Sequence, residues 1–340
     1  MKEIMSFQIQ KKEIKYPFIG IYDFSYAPYA LGDAFTWQVN VAIGALDKGI
    51  DTVIHSLVVD PRRPSGRLQP HINRENYRDY ISNLFPAFLC NPLEMSLKLF
   101  ANRHAFDYYL LKKVLSGFHT WPNLLIHTME QLDYYSHKKI DKFFQENHYI
   151  PRLKTPRGYE NSMDDFLKEH CSGRFLVSVN IRQRANYADL GFAGQASGVI
   201  RRDSPLHEWY RFFKVVRKKY PDVLFLAFGG YAEWEKELYT FENVLIPRAM
   251  GYNLAHEITL FHQTDLFMGT SSGFSALATF SEIPYIITNF DHAAAKYVDL
   301  PIGALSYPFA LDNQIISWEK ETVELLLSLF EPTYQMLKTQ

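Results

Sequence analysis

The sequence predicts an α/β protein of two domains, each built on a parallel sheet with helices against it. Three observations carry that reading. The first is a strand–loop–helix–strand succession over residues 18–59. The second is a longer alternation of short apolar runs and helical periods from residue 175 to residue 289. The third is a stretch between them, 150–160 (IPRLKTPRGYE), with two prolines, several charges and few apolar side chains. A chain of 340 residues is longer than one core usually serves, and the stretch at 150–160 is the candidate linker. The expected domains are therefore residues 1–150 and 151–340.

In the first half, FIGIYDF (18–24) is a short apolar run and reads as a strand, and SYAPYALGD (25–33) reads as a loop. From Ala34 to Lys48, apolar residues at Phe35, Val39, Ala42, Ile43 and Leu46 fall on one helical face, and Gly49 stands where a helix stop is expected. TVIHSLVV (52–59) completes a βαβ unit, which implies parallel strands. Residues 61–120 look different. After PRRPSGRLQP, helical spacing runs through 77–89 and 93–115, with Pro86 and Pro92 as breaks, and the region reads as a helical elaboration of the first domain. NLLIH (123–127) is a further candidate strand, with His127 at its end, and 134–146 reads as a helix.

The second half alternates more cleanly. Strands are expected at 175–181 (FLVSVNI), 223–228 (VLFLAF), 243–246, 265–269 (DLFMG) and 284–289 (PYIITN). Helices are expected at 163–169, at 205–219 with Ser204 as the N-cap, and at 231–241, 253–262 and 273–280. A last helix is expected at 318–330, ending before Pro332. Such alternation is the pattern of a doubly wound parallel sheet.

Composition narrows the function. Hydrophobic residues at 47% and charged residues at 21% are an ordinary globular balance. A net charge of −1 gives no basic excess for nucleic acid. The N-terminal residues are charged and lack the apolar core of a secretory signal, and no apolar run approaches the ~20 residues of a membrane span. A cytoplasmic protein, with at most peripheral membrane contact, is the expectation. Cys90 and Cys171 match no metal or redox spacing, no His/Cys cluster suggests zinc, and no metal is expected.

Open parallel sheets take ligands at the carboxyl ends of their strands, and three features of the second half fall there. Gly269-Thr270-Ser271-Ser272-Gly273 lies between a strand and a helix. Small residues and a helix N-terminus offer amides and hydroxyls to an anion; a capped helix start without a ligand is the alternative. Arg182 and Arg184 follow the strand at 175–181, and Arg201 and Arg202 follow a Gly-containing loop. Guanidinium groups bind phosphate in a fork, or they are surface charges. Gly229-Gly230 either lets a base or ribose approach the backbone or makes a simple turn. In the first half, Asp33, after Gly32, is either a helix cap or a general base facing the cleft. Asn180 closes its strand. The Walker, GxSxG and HExxH patterns do not occur, and the N-terminal loop is not GxGxxG.

These residues resemble those of GT-B-fold glycosyltransferases. DLFMGTSSGFSALATFSEIPYIITNF resembles the C-terminal nucleotide-binding motif of the heptosyltransferases and, through its Thr-Ser-Ser turn, of the fucosyltransferase superfamily. VSVNIRQRANY is similar to the fucosyltransferase His-x-Arg motif. Arg182 takes the position of the Arg that contacts the donor diphosphate, and Asn180 stands where the His would be. YALGDAFTWQVNVAIGAL resembles the loop–helix start of both branches, so Asp33 inherits the role of base from the heptosyltransferases. The resemblance implies two Rossmann-like domains with parallel sheets facing a central cleft. It implies a nucleoside diphosphate sugar, with GDP as one candidate nucleotide, as co-substrate held by the C-terminal domain, and no further cofactor. The acceptor would be a glycan or a lipid-linked glycan in surface polysaccharide biosynthesis. A nucleotide-sugar epimerase of the same fold, or a catalytically silent binding protein, are the alternatives. The second draws on the Asn at position 180.

Overall fold

The computed structural model describes residues 16–64, 69, 71–122, 137–183, 203–229 and 236–339. The first half holds a four-stranded sheet in which every pairing is parallel. It comprises β1 (Phe18–Asp23), β2 (Thr52–Val58), β3 (Glu94–Phe100) and β4 (Thr120–Trp121), ordered β3-β2-β1-β4. β1 is buried along its whole length, as expected of a central parallel strand with both faces covered. Its helices are α1 (Leu31–Leu46), α2 (Tyr77–Leu84), α3 (Arg103–Leu115) and α4 (His137–Asn147).

The region expected to be helical through 93–115 contains β3. EMSLKLF alternates Met95, Leu97 and Leu99 with Glu94, Ser96 and Lys98, a period of two that only an edge strand with one half-covered face would show. Only α2, a 3₁₀ turn at Phe85–Leu89 and α3 are helical there. The candidate strand at 123–127 and His127 lie outside the described residues.

The second half holds six parallel strands: β5 (Phe175–Asn180), β6 (Val223–Ala227), β7 (Val244–Leu245), β8 (Leu266–Thr270), β9 (Tyr285–Thr288) and β10 (Gln314–Ile316). Their order is β10-β9-β8-β5-β6-β7. Read from β7, the chain order is third, second, first, fourth, fifth, sixth, the doubly wound dinucleotide-fold order, with its switch point between β5 and β8. The helices are α5 (Leu206–Lys219), α6 (Leu254–Phe261), α7 (Gly273–Thr279), α8 (His292–Tyr297) and α9 (Val323–Lys338). Of the helix expected at 231–241, the described part, Lys236–Thr240, is a 3₁₀ turn.

Several helix ends differ from expectation: α1 starts at Leu31, so Gly32 and Asp33, expected in the loop, lie in its first turn. α5 is flanked by Pro205 without a side-chain cap, because the Ser204 hydroxyl is turned to Glu321 instead. α9 starts at a Thr322 cap, later than Trp318, and runs through Pro332. A proline inside a helix removes one backbone hydrogen bond. Here buried Phe330 and Tyr334 on either side, packed on Phe212 and Tyr220, hold the helix together across it.

The connecting stretch is less solvated than its composition implies. Leu153 N–H donates to Phe280 O at 2.7 Å, Lys154 N–H to Cys90 O at 3.0 Å and Arg157 N–H to Leu89 O at 2.9 Å, so it is bonded to both halves. Arg152 reaches into the second half and donates to the carbonyls of Thr279, Ser281 and Phe309 at 3.2, 3.1 and 2.6 Å. One apolar cluster runs from Phe18 and Trp37 through Phe88 to Phe274, Leu277 and Phe280, so the two sheets share a core. Within it, α1 lies against α7. A Cβ on Gly273 would fall 2.7 Å from Leu31 Cβ, and one on Gly32 would fall 3.4 Å from Ala276 Cβ.

Candidate functional site

In doubly wound sheets the switch point, here between β5 and β8, is where neighbouring loops diverge and ligands bind. β5 delivers Asn180 and Arg182 to it, and β8 delivers Gly269, Thr270 and Ser271; Asn180 and Gly269 are paired across the two strands. Beyond the strand ends the two loops touch. Arg182 Nη1 donates to Ser271 O at 3.1 Å, and its Nε lies 3.9 Å from the Asp203 carboxylate, an ion-pair distance too long for a hydrogen bond. The Arg182 side chain is only 12% exposed, so its charge is concentrated at the switch point rather than spread into water.

The turn itself is shaped largely by the protein. Gly269 has no room for a side chain, since a Cβ would lie 2.7 Å from Asn180 O. Gly273 is required by Leu31 of α1. Of the three hydroxyl residues, Thr270 is buried in β8, and Ser272 is the N-cap of α7 in a reciprocal box with Ser275. Ser272 N–H donates to Ser275 Oγ at 2.7 Å, and Ser275 N–H to Ser272 Oγ at 3.3 Å. The capped helix start is therefore present, and the anion reading rests on what lies beside it.

Asn180 is a tie between strands: its side-chain amide donates to Phe228 O at 2.8 Å. Gly229, with φ +141°, has the backbone freedom that only glycine tolerates easily, and its N–H donates to Glu257 Oε1 at 3.0 Å. Glu257 is fully buried, and its other oxygen accepts from Arg248 Nε at 2.8 Å. The glycine thus serves a turn pinned by a buried carboxylate. Gly230, Arg184, Arg201 and Arg202 lie outside the described residues.

In the first half, Ala30 is the N-cap residue of α1, with no side-chain cap, and Asp33 sits one turn in. The cap alternative for Asp33 falls for that reason. A carboxylate in a first turn is favoured by the amides of the helix start, and it needs no capping role to be stable there. Because Gly32 and Leu31 meet Ala276 and Gly273, the start of α1 stands against the start of α7. Asp33 therefore belongs to the same side of the molecule as the Ser271 turn.

Two residues that sequence reasoning did not single out support the strand ends. Asp203 is the ion-pair partner of Arg182. Glu321, before α9, has Oε1 within hydrogen-bond distance of Ser204 Oγ at 2.9 Å and Thr288 Oγ1 at 3.1 Å; burial pushes its carboxyl up from the ordinary 4.5, against the pull of its own backbone N–H and of those two hydroxyls. In the sequence, SWEKET has the look of a solvated loop, and nothing in its spacing marks one glutamate as buried. Among the described residues, no cluster of three or more His, Cys, Asp or Glu is arranged to hold a metal, and no helix is long and apolar enough to cross a membrane.

No family model matches the sequence, and no curated protein matches it. Solved structures do. A glycosyl transferase family 9 protein from Veillonella parvula superposes with a TM-score of 0.53 at 11% identity, covering 96% of this chain and 99% of the other. The heptosyltransferase WaaC of E. coli, with ADP, gives 0.41 at 10% identity over 95% and 100% of the two chains. The fucosyltransferase NodZ of Bradyrhizobium gives 0.37 at 14% identity over 82% and 96%. The first of these and the two parallel sheets establish a GT-B-like fold, the fold that the resemblance of the sequence motifs implied.

Proposed function

We propose that the protein transfers a sugar from a nucleoside diphosphate donor to a hydroxyl of a glycan or lipid-linked acceptor, in surface polysaccharide biosynthesis. The observation that carries this reading is the meeting of Arg182 and the Ser271 turn at the switch point of a dinucleotide-type sheet. Arg182 supplies the positive charge a diphosphate requires, in the fork geometry that suits phosphate.

In the proposed reaction, the acceptor hydroxyl oxygen bonds to the anomeric carbon of the donor. The bond from that carbon to the diphosphate oxygen breaks, and the hydroxyl proton passes to Asp33. The diphosphate leaves with an added negative charge, which Arg182 and the amides after Thr270 stabilise. A positioned cation and fixed dipoles act most strongly where charge develops, and here they take the place a metal holds in other transferases. Arg184, Arg201 and Arg202 are further candidates for the diphosphate, and Gly229 and Gly230 for the nucleoside side. The packing of the start of α1 on α7 supports an acceptor held beside the donor turn, where exclusion of water would limit donor hydrolysis.

The test pairs a ligand panel with two variants. GDP, UDP, ADP, CMP and their sugars are screened by thermal shift, and a ligand that binds the native state raises the melting temperature by mass action. The stabilising donor is then incubated with and without acceptor glycans. Asp33→Asn is expected to keep donor binding and lose transfer, and Arg182→Lys to lose donor binding. Unchanged turnover in Asp33→Asn removes the base assignment. Isomerised donor in the absence of acceptor replaces transfer with epimerisation.

A further inference from the structure

We infer that Glu321 is held as a neutral carboxylic acid and, in that form, is the positioning residue that joins the loop carrying Arg182 to the ends of β8 and β9. Glu321 is 2% exposed. Its Oε1 lies within hydrogen-bond distance of Ser204 Oγ and Thr288 Oγ1, and its Oε2 is buried with no hydrogen-bond partner among the described residues. Thr288 Oγ1 also lies 3.3 Å from Gly269 O.

Counting hydrogens decides between the two protonation states. Ser204 and Thr288 bring one hydroxyl hydrogen each. If Glu321 is ionised, both hydrogens go to Oε1. Gly269 O then loses Thr288, and although Glu321's own backbone N–H helps the ionised form, Oε2 holds part of a negative charge in the interior with no hydrogen-bond partner among the described residues, an arrangement that costs far more than an unpaired neutral oxygen. If Glu321 is protonated on Oε1, every close contact is used. Oε1–H donates to Thr288 Oγ1, Thr288 donates onward to Gly269 O, Ser204 donates to Oε1, and Oε2 is an ordinary carbonyl oxygen.

The charged neighbours among the described residues do not reverse this. Lys320, next in the chain, favours the ionised form but is exposed. Exposed Glu319 opposes it. Arg182 and Asp203, beyond Ser204, offset each other. Glu208 of α5 is occupied with Val323 N–H, Arg211 and His207. Burial is the largest influence and favours the neutral acid.

The connection reaches the switch point from both sides. Ser204 N–H donates to Arg182 O at 3.0 Å, and Gln183 Nε2 donates to Ser204 O at 2.6 Å, so the hydroxyl held by Glu321 belongs to the residue that fixes the backbone at Arg182. On the other side, Thr288 holds the carbonyl of Gly269, where the Ser271 turn begins. Glu321 touches no ligand position itself. The protonation state stands on the network alone; only its consequence for ligand binding rests on the proposed donor site.

The experiment uses the full chain with Glu321→Gln and Glu321→Ala. A carboxyl whose native value is raised above 4.5 adds stability that is fully present below that pH and is lost as pH rises toward the native value. Glutamine stays uncharged and can donate to both hydroxyls. Melting temperatures are measured from about pH 4.5 to about pH 8.5. Glu321→Gln is expected to gain on the wild type steadily as pH rises, and Glu321→Ala to lose at every pH. A wild-type-to-Gln difference that does not change with pH, or a Gln variant as damaged as the Ala variant throughout, would show an ionised side chain and overturn the inference. GDP, UDP and ADP binding is measured in the same proteins. Glu321→Ala is expected to weaken the bound nucleotide by about tenfold, and Glu321→Gln to leave it within twofold, where tenfold corresponds to about 1.4 kcal/mol. If no nucleotide binds even the wild type, the donor reading fails while the pH result still decides the state of Glu321.

Discussion

Gly273→Ala tests the seam between the two sheets, because two effects of known size oppose each other there. Alanine is the better helix former, so an unobstructed change from glycine at the first position of α7 would stabilise by up to about 1 kcal/mol. The structure gives that methyl no space. It would stand 2.7 Å from Leu31 Cβ, 3.0 Å from Cδ2 and 3.1 Å from Cγ. Carbon atoms in good contact sit at about 3.5 Å or more, so the overlap with Leu31 Cβ is about 0.8 Å. Neither Cβ can be moved by a rotamer change, since each is fixed to a helix backbone. The overlap is relieved only by shifting α1 against α7, and forced overpacking of this kind costs about 1–3 kcal/mol. Net destabilisation is therefore expected, measured by urea unfolding. Leu31→Gly in the Gly273→Ala background removes the opposing Cβ, and the pair should recover part of the loss beyond additivity. A Gly273→Ala protein as stable as the wild type or more so, with no coupling to position 31, would mean that the helices do not meet as described.

Three further outcomes follow from other parts of the structure. Arg152→Ala removes the guanidinium that holds the carbonyls of Thr279, Ser281 and Phe309, and is expected to cost about 2–4 kcal/mol in chemical denaturation; Arg152→Lys should recover little, because one ammonium cannot span the same fork. His55 and His137 are buried, and desolvation lowers each from 6.5 to about 4. Unfolding therefore takes up protons at both between these values. The stability present above about pH 6.5 should fall as pH drops toward about 4, by up to about 1.4 kcal/mol per pH unit for each histidine, and His55→Asn should flatten part of that slope in pH-dependent thermal melts. Phe228 O loses its side-chain donor in Asn180→Ala, a change expected to lower stability by about 1–3 kcal/mol. Unaltered melting would argue that β5 and β6 are held without it.

Periodicity made the fold largely legible, and the exceptions have physical causes. β1, β2, β5, β6, β8 and β9 are near-continuous apolar runs because both faces of a parallel sheet are covered, and such runs stand out. β3 is an edge strand with exposed Glu94, Ser96 and Lys98, so its pattern was diluted and the helical periods on either side absorbed it. α9 crosses Pro332 because tertiary packing of Phe330 and Tyr334 outweighs the one lost bond, which no local rule anticipates. In the site, Arg182 and the Thr-Ser-Ser turn could be found because strand ends and small-residue turns have a sequence signature. Asp203, Glu257 and Glu321 could not, because an acid is marked as buried only by partners distant in the chain: Arg182, Arg248, and Ser204 with Thr288.

Those hidden acids change how the switch point is understood. The proposed diphosphate site needs positive charge, yet three carboxyl groups are bonded to or near the strand ends that form it, and each is dealt with differently. Asp203 stands 3.9 Å from Arg182, near enough to orient the guanidinium and too far to hold it by a hydrogen bond. Glu257 is neutralised by Arg248 and spends its other oxygen on Gly229 N–H. Glu321, with no cation in contact with it among the described residues, escapes charge by holding its proton. Glu257 and Glu321 thus tie strand-end segments together while Arg182 is held to Ser271 O. An arginine lined up in advance loses little freedom when a doubly charged ligand arrives, and that preorganisation is what a site working on a diphosphate leaving group needs most.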